Sequence, residues 1–283
     1  MDISIVIVNY KVADLLLRCL KSIYEHVHGV NFEIFVIDNA SEDGLIDRIR
    51  NNFPGVITIQ NRENLGFAGA CNQGIKLAKG EFVLLLNPDT MLIDDSVSKI
   101  VQRMRTEPNT AIGGIHLLNP DLTDQEGAVR SFPRIIDQLQ ILLKIPHIIE
   151  TRTVRKYLMR DFDMTHDANV DQVMGAFFCI RRSVLDLIGL LDDEIFYWFE
   201  EVDLCKRAVD AGFDVKYFSY IRAIHEKGHS FRQVATLQKQ TILRKSLRHY
   251  AKKHFSLQAR LILLILEPVF FVLALVAHII KPK

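Results

Sequence analysis

Cysteine is scarce and badly placed for either of its usual structural tasks. Cys19, Cys71, Cys179 and Cys205 are scattered through 283 residues, and none forms a Cys-x-x-Cys pair. This argues against a disulfide framework and a thiolate zinc site, and suits reduced core residues in a cytosolic protein. Excess charge is also lacking: the formal net charge is +1, so no global field recruits nucleic acid. The loop after the first apolar run, Asn9-Tyr10-Lys11, holds no glycine, which removes the Gly-x-Gly-x-x-Gly dinucleotide fingerprint. No apolar leader is expected, because Asp2 follows Met1 and a strand begins at once.

What remains is a chain with 49% hydrophobic content, long enough for one large α/β domain plus an appendage. Ile3–Val8 is a β-branched run, followed by Leu15, Leu16, Cys19, Leu20, Ile23 and Tyr24 at helical spacing. Phe32–Ile37 gives a second strand and Val56–Ile59 a third, with a helix between them. Phe82–Leu86 is apolar without alternation, as in a strand buried on both faces of a mainly parallel sheet. Asn87-Pro88-Asp89 ends it, because proline cannot continue a central strand. Asn9, Asp38 and Asp89 therefore share one sheet edge, the carboxyl edge where open α/β sheets bind ligands. Between them, Asn64-Leu65-Gly66-Phe67-Ala68-Gly69 and Asn72 open a helix whose small residues permit either phosphate contact or close packing.

Residues 119–170 are the least readable. Leu139–Ile149 is apolar among Arg130, Arg134, Lys144, Arg152 and Arg155, and suits equally a helix touching lipid and one packed on the domain. Gly175–Arg181 reads as a strand led by a small residue that an acceptor can approach. Phe196–Phe199 then feeds Glu200, Glu201 and Asp203 at the start of a helix. Glu201 and Asp203 point roughly 200° apart there. Asp203 has Arg207 at ion-pair spacing, whereas Glu201 shares its face with the apolar Leu204, Cys205 and Ala208. Ala223-Ile224-His225 follows another strand. At the C-terminal end, basic Arg232–Phe255 precedes about 20 mostly apolar residues, Leu261–Ile280, long enough to cross a bilayer but interrupted by Glu267 and Pro268. A spanning helix, an interfacial helix and a packing helix all remain open.

Four motifs in register resemble the family 2 glycosyltransferases, most closely the bacterial rhamnosyltransferase-like branch: Ser4–Tyr10, Asp38–Ser41, Asn64–Gly69 with Asn72, and Asn87-Pro88-Asp89. The later aromatic–acidic run and His225 extend the resemblance to about residue 230. It implies a GT-A fold, an open mixed sheet flanked by helices with a Rossmann-like nucleotide-binding half, over residues 1–230. A basic helical linker over 231–256 and a membrane-associated helix over 257–283 would follow. It implies donor contacts from Val8, Asn9, Tyr10, Asp38, Asn64, Gly69, Asn72, Asn87 and Asp89, and Mg2+ or Mn2+ held by Asp89 and His225. The catalytic base would be Glu201, with Glu200 beside it; Glu201 and Asn87 stand where relatives usually carry aspartate. The expected reaction is inverting transfer of a sugar, from dTDP-rhamnose or a UDP-sugar, to a glycan or lipid-linked acceptor. Its expected place is the cytoplasmic face of the inner membrane, with no nucleic acid involved and a homo-oligomer left open. The rivals are a sugar-nucleotide pyrophosphorylase, which would want a glycine- and arginine-rich first loop, and a catalytically dead membrane scaffold.

Overall fold

The computed structural model describes residues 1–226 and 235–280. The chain begins β1 (Ile3–Asn9), α1 (Ala13–His26), β2 (Phe32–Asp38), α2 (Leu45–Asn52), β3 (Ile57–Gln60), α3 (Gly66–Leu77) and β4 (Phe82–Leu86). All of β1 and β4 is buried, as continuous apolar runs require when helices cover both faces. The strands β3, β2, β1 and β4 lie side by side and parallel, so Asn9 pairs with Asp38 at one common edge.

The second half is mixed. It contains β5 (Thr90–Leu92), α4 (Ser96–Thr106), β6 (Thr110–Leu118), β7 (Val129–Arg130), α5 (Ile135–Leu142), a 3-10 turn at Ile145–His147 and α6 (Arg152–Tyr157). Next come β8 (Ala168–Asn169), β9 (Gln172–Val173), β10 (Phe177–Arg181), α7 (Arg182–Ile188), α8 (Glu200–Asp210) and β11 (Asp214–His225). The main sheet runs β3-β2-β1-β4-β10-β6-β11-β5, with β8 on β11. In it β10 is antiparallel to both β4 and β6. The strands β7 and β9 pair with each other, apart from the main sheet.

Residues from α1, α2 and α4 fill one face of the sheet, including Leu16, Leu20, Ile49 and Ile100. The opposite face takes α3, α7 and α8, through Ala68, Cys71, Val184, Leu204 and Cys205. All four cysteines are free and buried. The apolar stretch of α5 both packs and protrudes: Leu142 is buried, while Ile148 and Ile149 beyond it are exposed.

Two C-terminal helices, α9 (Thr236–His254) and α10 (Leu257–Ile280), complete the described chain. The expected basic helix from Arg232 thus begins at Thr236 within the described residues, and positions 232–234 lie outside them. Among the described residues α10 is one helix long and apolar enough to cross a membrane. It nevertheless has two faces. Ala259, Leu263, Phe270 and Ala274 are buried, whereas Leu264, Ile265, Val272 and Ile279 are exposed. Glu267 is not stranded in an apolar run, because Arg244 and Arg248 of α9 meet its Oε1 at 3.0 and 3.1 Å. A third cluster joins Leu247 and Tyr250 of α9 and Leu263 and Phe270 of α10 to Phe199 and Val202 of α8.

Candidate active site

A cavity of about 380 Å³ opens at the carboxyl edge of β1 and β4 and is closed over by β7, β9, the aromatic run and α9. Its first wall comes from the β1–β3 half. Val8, Tyr10 and Asn64 line it as expected, together with Asn39 and Gly66. Asn39 Nδ2 donates to Asn64 Oδ1 at 2.8 Å and to the Gly66 carbonyl at 3.1 Å. The Leu65 N–H donates to Asn39 Oδ1 at 3.0 Å, so the amide pins the turn that opens α3. Gly66 sits at φ +75°, and a Cβ there would lie 2.5 Å from the Phe196 carbonyl oxygen. Only glycine allows the α3 turn and the aromatic run to meet this closely.

Four expected donor residues do not line this cavity. The Asn9 carboxamide is buried and donates to Asp38, Ser41 and Asp43 at 2.9–3.0 Å, which commits it to bracing the β1 and β2 loops. Asp38 is the acceptor in that brace and is 2% exposed. Asn72 Nδ2 donates to the Leu191 carbonyl at 2.8 Å, tying α3 to the loop before α8. Gly69 packs beside Leu65 and Asp193. Their amide and small-residue chemistry is spent on holding loops, and Asn39, beside Asp38 in the same motif, takes the place on the wall.

At the centre stand Asn87, Asp89 and His225. Asp89 follows the proline turn after β4, and the Glu226 N–H holds its carbonyl at 2.8 Å. His225 ends β11, which pairs with β5 just beyond Asp89. The His225 ring is oriented by Gln125, whose Oε1 is 2.6 Å from Nδ1. The Gln125 amide nitrogen already donates to Asn119 Oδ1 and to the His225 carbonyl. Its oxygen must therefore be the atom facing Nδ1, so Nδ1 carries a proton and Nε2 is the ring atom turned toward Asp89. Nε2 faces Asp89 Oδ1 at 3.2 Å. A proton on Nε2 or a shared divalent cation would each satisfy that separation. Adjacent ligands of an octahedral ion with bonds near 2.1 Å stand about 3 Å apart. A nitrogen and a carboxylate oxygen also suit a divalent transition metal, so the pair fits Mn2+ or Mg2+. The neighbouring Lys227 and Gly228 lie outside the described residues.

The third part is the acidic start of α8. Trp198 and Phe199 hold φ at +61° and +70°, a left-handed pair that bulky residues rarely adopt. This turn swings Glu200 and Glu201 into the cavity, and each has an Oε2 buried without a hydrogen-bond partner. Burial pushes the Glu200 carboxyl well up, and the neighbouring Glu201 charge pushes it further. Burial also raises Glu201, while the Arg130 charge partly offsets it. Asp203 faces elsewhere: its fully buried carboxylate accepts from Arg207, His254 and Lys253 at 2.6–2.8 Å. Those cations hold its pKa well below the usual carboxylate range, against the effect of burial.

The model of glycosyl transferase family 2 matches residues 4–188, more than half of the chain. This protein belongs to glycosyl transferase family 2. The family 2 chain is 26% identical over 238 residues to a low-salt glycan biosynthesis hexosyltransferase of Haloferax volcanii, covering 80% of this chain and 67% of that one. It is 24% identical to an uncharacterized glycosyltransferase of Bacillus subtilis, over 80% of this chain and 65% of that protein. To the poly-beta-1,6-N-acetyl-D-glucosamine synthase of Staphylococcus aureus it is 27% identical, over 65% of this chain and 40% of that protein. The chain thus spans roughly two thirds or less of these relatives' lengths. Its fold matches a mannosyltransferase of Pyrobaculum calidifontis solved with GDP-Man and Mn2+, at 16% identity and TM-score 0.59, covering 99% of this chain and 76% of the other. GalNAc-T7 with UDP, GalNAc and Mn2+ matches at 14% identity and TM-score 0.58, over 88% and 47%. The architecture of this family 2 glycosyltransferase is therefore GT-A-like.

Several cavity residues carry no signal that periodicity reads. Gln172, Met174 and Ala176 lie on or beside a two-residue strand, and Gln238 and Ile242 arrive from α9, beyond the family match. Gly175 does open onto the cavity, and nothing lies within 4 Å of a Cβ built there.

Proposed function

We propose that this glycosyltransferase transfers a sugar, with inversion, from a nucleotide diphosphate donor to a hydroxyl of a glycan or lipid-linked acceptor. The observation that carries the reading is the meeting, in one cavity, of the Asp89–His225 pair with two carboxyls whose Oε2 atoms have no protein partner. Asn39, Asn64 and Tyr10 form the wall for the nucleoside. Asp89 and His225 would hold the divalent cation, which when bound neutralises charge developing on the leaving diphosphate.

Glu201 is the general base. Both carboxyls line the cavity, and Glu201 is the residue with more of its surface exposed. Burial, and after it the Glu201 charge, push Glu200 well up, whereas the Arg130 charge partly offsets the rise at Glu201, so Glu200 is the member assigned the proton and Glu201 the base. Glu201 takes the hydroxyl proton as the acceptor oxygen attacks the anomeric carbon from the face opposite the diphosphate. Phe196, Tyr197 and Trp198 line the same cavity, so water competes poorly with the acceptor and hydrolysis of the donor alone is slow but measurable.

The donor sugar is proposed as rhamnose from dTDP-rhamnose, with UDP-sugars next, on the motif resemblance alone. Placement at the cytoplasmic face of the inner membrane, in cell-surface polysaccharide synthesis, rests on the exposed apolar face of α10 and on relatives named for glycan synthesis. A panel of dTDP-, UDP- and GDP-sugars, read by released nucleoside diphosphate, tests the reading. Release from one donor with Mn2+ is expected, and no release from any donor under any condition would leave the scaffold alternative standing.

A further inference from the structure

Arg130 sits in the cavity wall, and among the described residues its side chain has no hydrogen-bond or ion-pair partner. It is half-buried, and its Nε is shut off from water. The surroundings leave it room: Gly127, at φ +86°, stands where a Cβ would come 3.2 Å from Nη2 and 3.6 Å from Nε. A guanidinium taken partly out of water with no hydrogen-bonded acceptor is unfavourable even with the Glu201 charge nearby, and a ligand anion relieves the penalty. Its planar fork matches a phosphoryl group in particular.

Its place in the fold says which substrate would bring that anion. Arg130 ends β7, which pairs only with β9 and stands outside the main sheet. The nucleoside wall of Asn39, Asn64 and Gly66 belongs to the first half of the chain. Arg130 is instead close enough to Glu201 for its charge to be felt there. Ile242 of α9 lines the same cavity, and α9 packs along α10, whose outer face is exposed and apolar. The side of the cavity that holds the base thus combines a guanidinium without a hydrogen-bonded acceptor among the described residues and a helix that packs against an exposed apolar surface.

We propose that Arg130 recognises a phosphoryl group on the acceptor, and that the acceptor is a lipid phosphate whose apolar part lies toward α9 and α10. The inference rests on the glycosyltransferase reading above. A phosphoryl group could also come from the donor diphosphate, so the test separates the two sources.

The chain's single tryptophan, Trp198, lines the cavity and reports its occupancy by fluorescence. Farnesyl phosphate and inorganic pyrophosphate are titrated in excess chelator; UDP, dTDP and GDP are titrated with Mn2+. Arg130→Gln is expected to weaken farnesyl phosphate and pyrophosphate about tenfold, the scale of one charge-assisted contact. Arg130→Lys should restore part of that loss, and the preferred nucleoside diphosphate should bind all three proteins equally. Equal farnesyl phosphate affinity in wild type and Arg130→Gln, at matched melting temperatures, would overturn the proposal. So would failure of the wild type to bind farnesyl phosphate, or a loss confined to the nucleoside diphosphate, which would give Arg130 to the donor. Nucleoside diphosphate binding that persists in every protein keeps the glycosyltransferase reading intact when this one fails. Its absence from the wild type counts against that reading instead.

Discussion

Ser246 of α9 donates its hydroxyl to the carbonyl of Tyr197 at 2.7 Å, so a C-terminal helix holds the turn that delivers Glu200 and Glu201, the proposed catalytic pair, to the cavity. The turn needs holding. Its left-handed Trp198 and Phe199 each cost of order 1–3 kcal/mol, and Phe199 is locked by packing with Leu247 and Tyr250.

Ser246→Ala should therefore lower turnover more than it lowers donor affinity. The hydrogen bond itself contributes about 1 kcal/mol, while misplacement of Glu201 acts on the chemical step. Steady-state kinetics beside thermal melting check this. An unchanged kcat with a lowered melting temperature would reduce Ser246 to a stability contact.

The same link gives one face of α10 a packing role. Read from sequence, residues 257–283 are a membrane-associated helix, with a packing helix left open. In the structure Leu263 and Phe270 pack into the cluster that holds Phe199 and Val202. Phe270→Ala should cost about 3–5 kcal/mol, and deletion of the helix should impair the site as well as membrane attachment. Membrane binding is better probed from the outer face. Leu264→Gln with Ile265→Gln and Val272→Gln should release the protein from anionic vesicles in a flotation assay without lowering its melting temperature. Persistent flotation would move the lipid contact elsewhere.

Protonation of the paired carboxyls sets the acid limb of activity. Both are raised by burial, so transfer should decline with falling pH from a point above the ordinary glutamate value of about 4.3. Stability runs the other way. A group whose folded pKa is raised favours the folded state while protonated, and that advantage is lost as pH rises through the folded value. Glu200→Gln should accordingly raise the melting temperature at neutral pH and change it little below the ordinary glutamate value. A lowered melting temperature at neutral pH would show that Glu200 has a counter-charge the structure does not reveal.

Asp203 illustrates the opposite sign. Its lowered pKa contributes stability above the ordinary aspartate range, lost as pH falls through and below that range. Asp203→Asn leaves Arg207, His254 and Lys253 short of their shared anion. The expected loss is about 3–5 kcal/mol, measured by denaturant unfolding, with donor affinity retained in the folded protein. A stable but inactive variant would make Asp203 part of the chemistry.

The legible parts of the sequence were those set by period and by proline. Buried β1 and β4 follow from unbroken apolar runs, and Asp89 reaches the sheet edge because Pro88 stops the strand. The helical phase of α8 likewise separated Glu201 from the ion-paired Asp203. What a period cannot show is which polar atom a loop uses for itself. Asn9 and Asp38 bond each other instead of lining the cavity, and Asn39 stands on the wall. Nor does any local pattern reveal that Arg130, on a two-residue strand, and Ile242, from a helix more than 100 positions later, share one cavity.

Metal-assisted transfer with Glu201 as base can be tested in a single assay. Nucleoside diphosphate release is measured across the donor panel, with Mn2+ and with excess chelator, for wild type, Asp89→Ala and Glu201→Gln. Wild type with Mn2+ should turn over one donor, and chelator or Asp89→Ala should remove most of that rate. Glu201→Gln should bind the nucleotide normally yet release almost none. Full release in chelator would contradict the metal assignment, and near-normal release by Glu201→Gln would contradict the base.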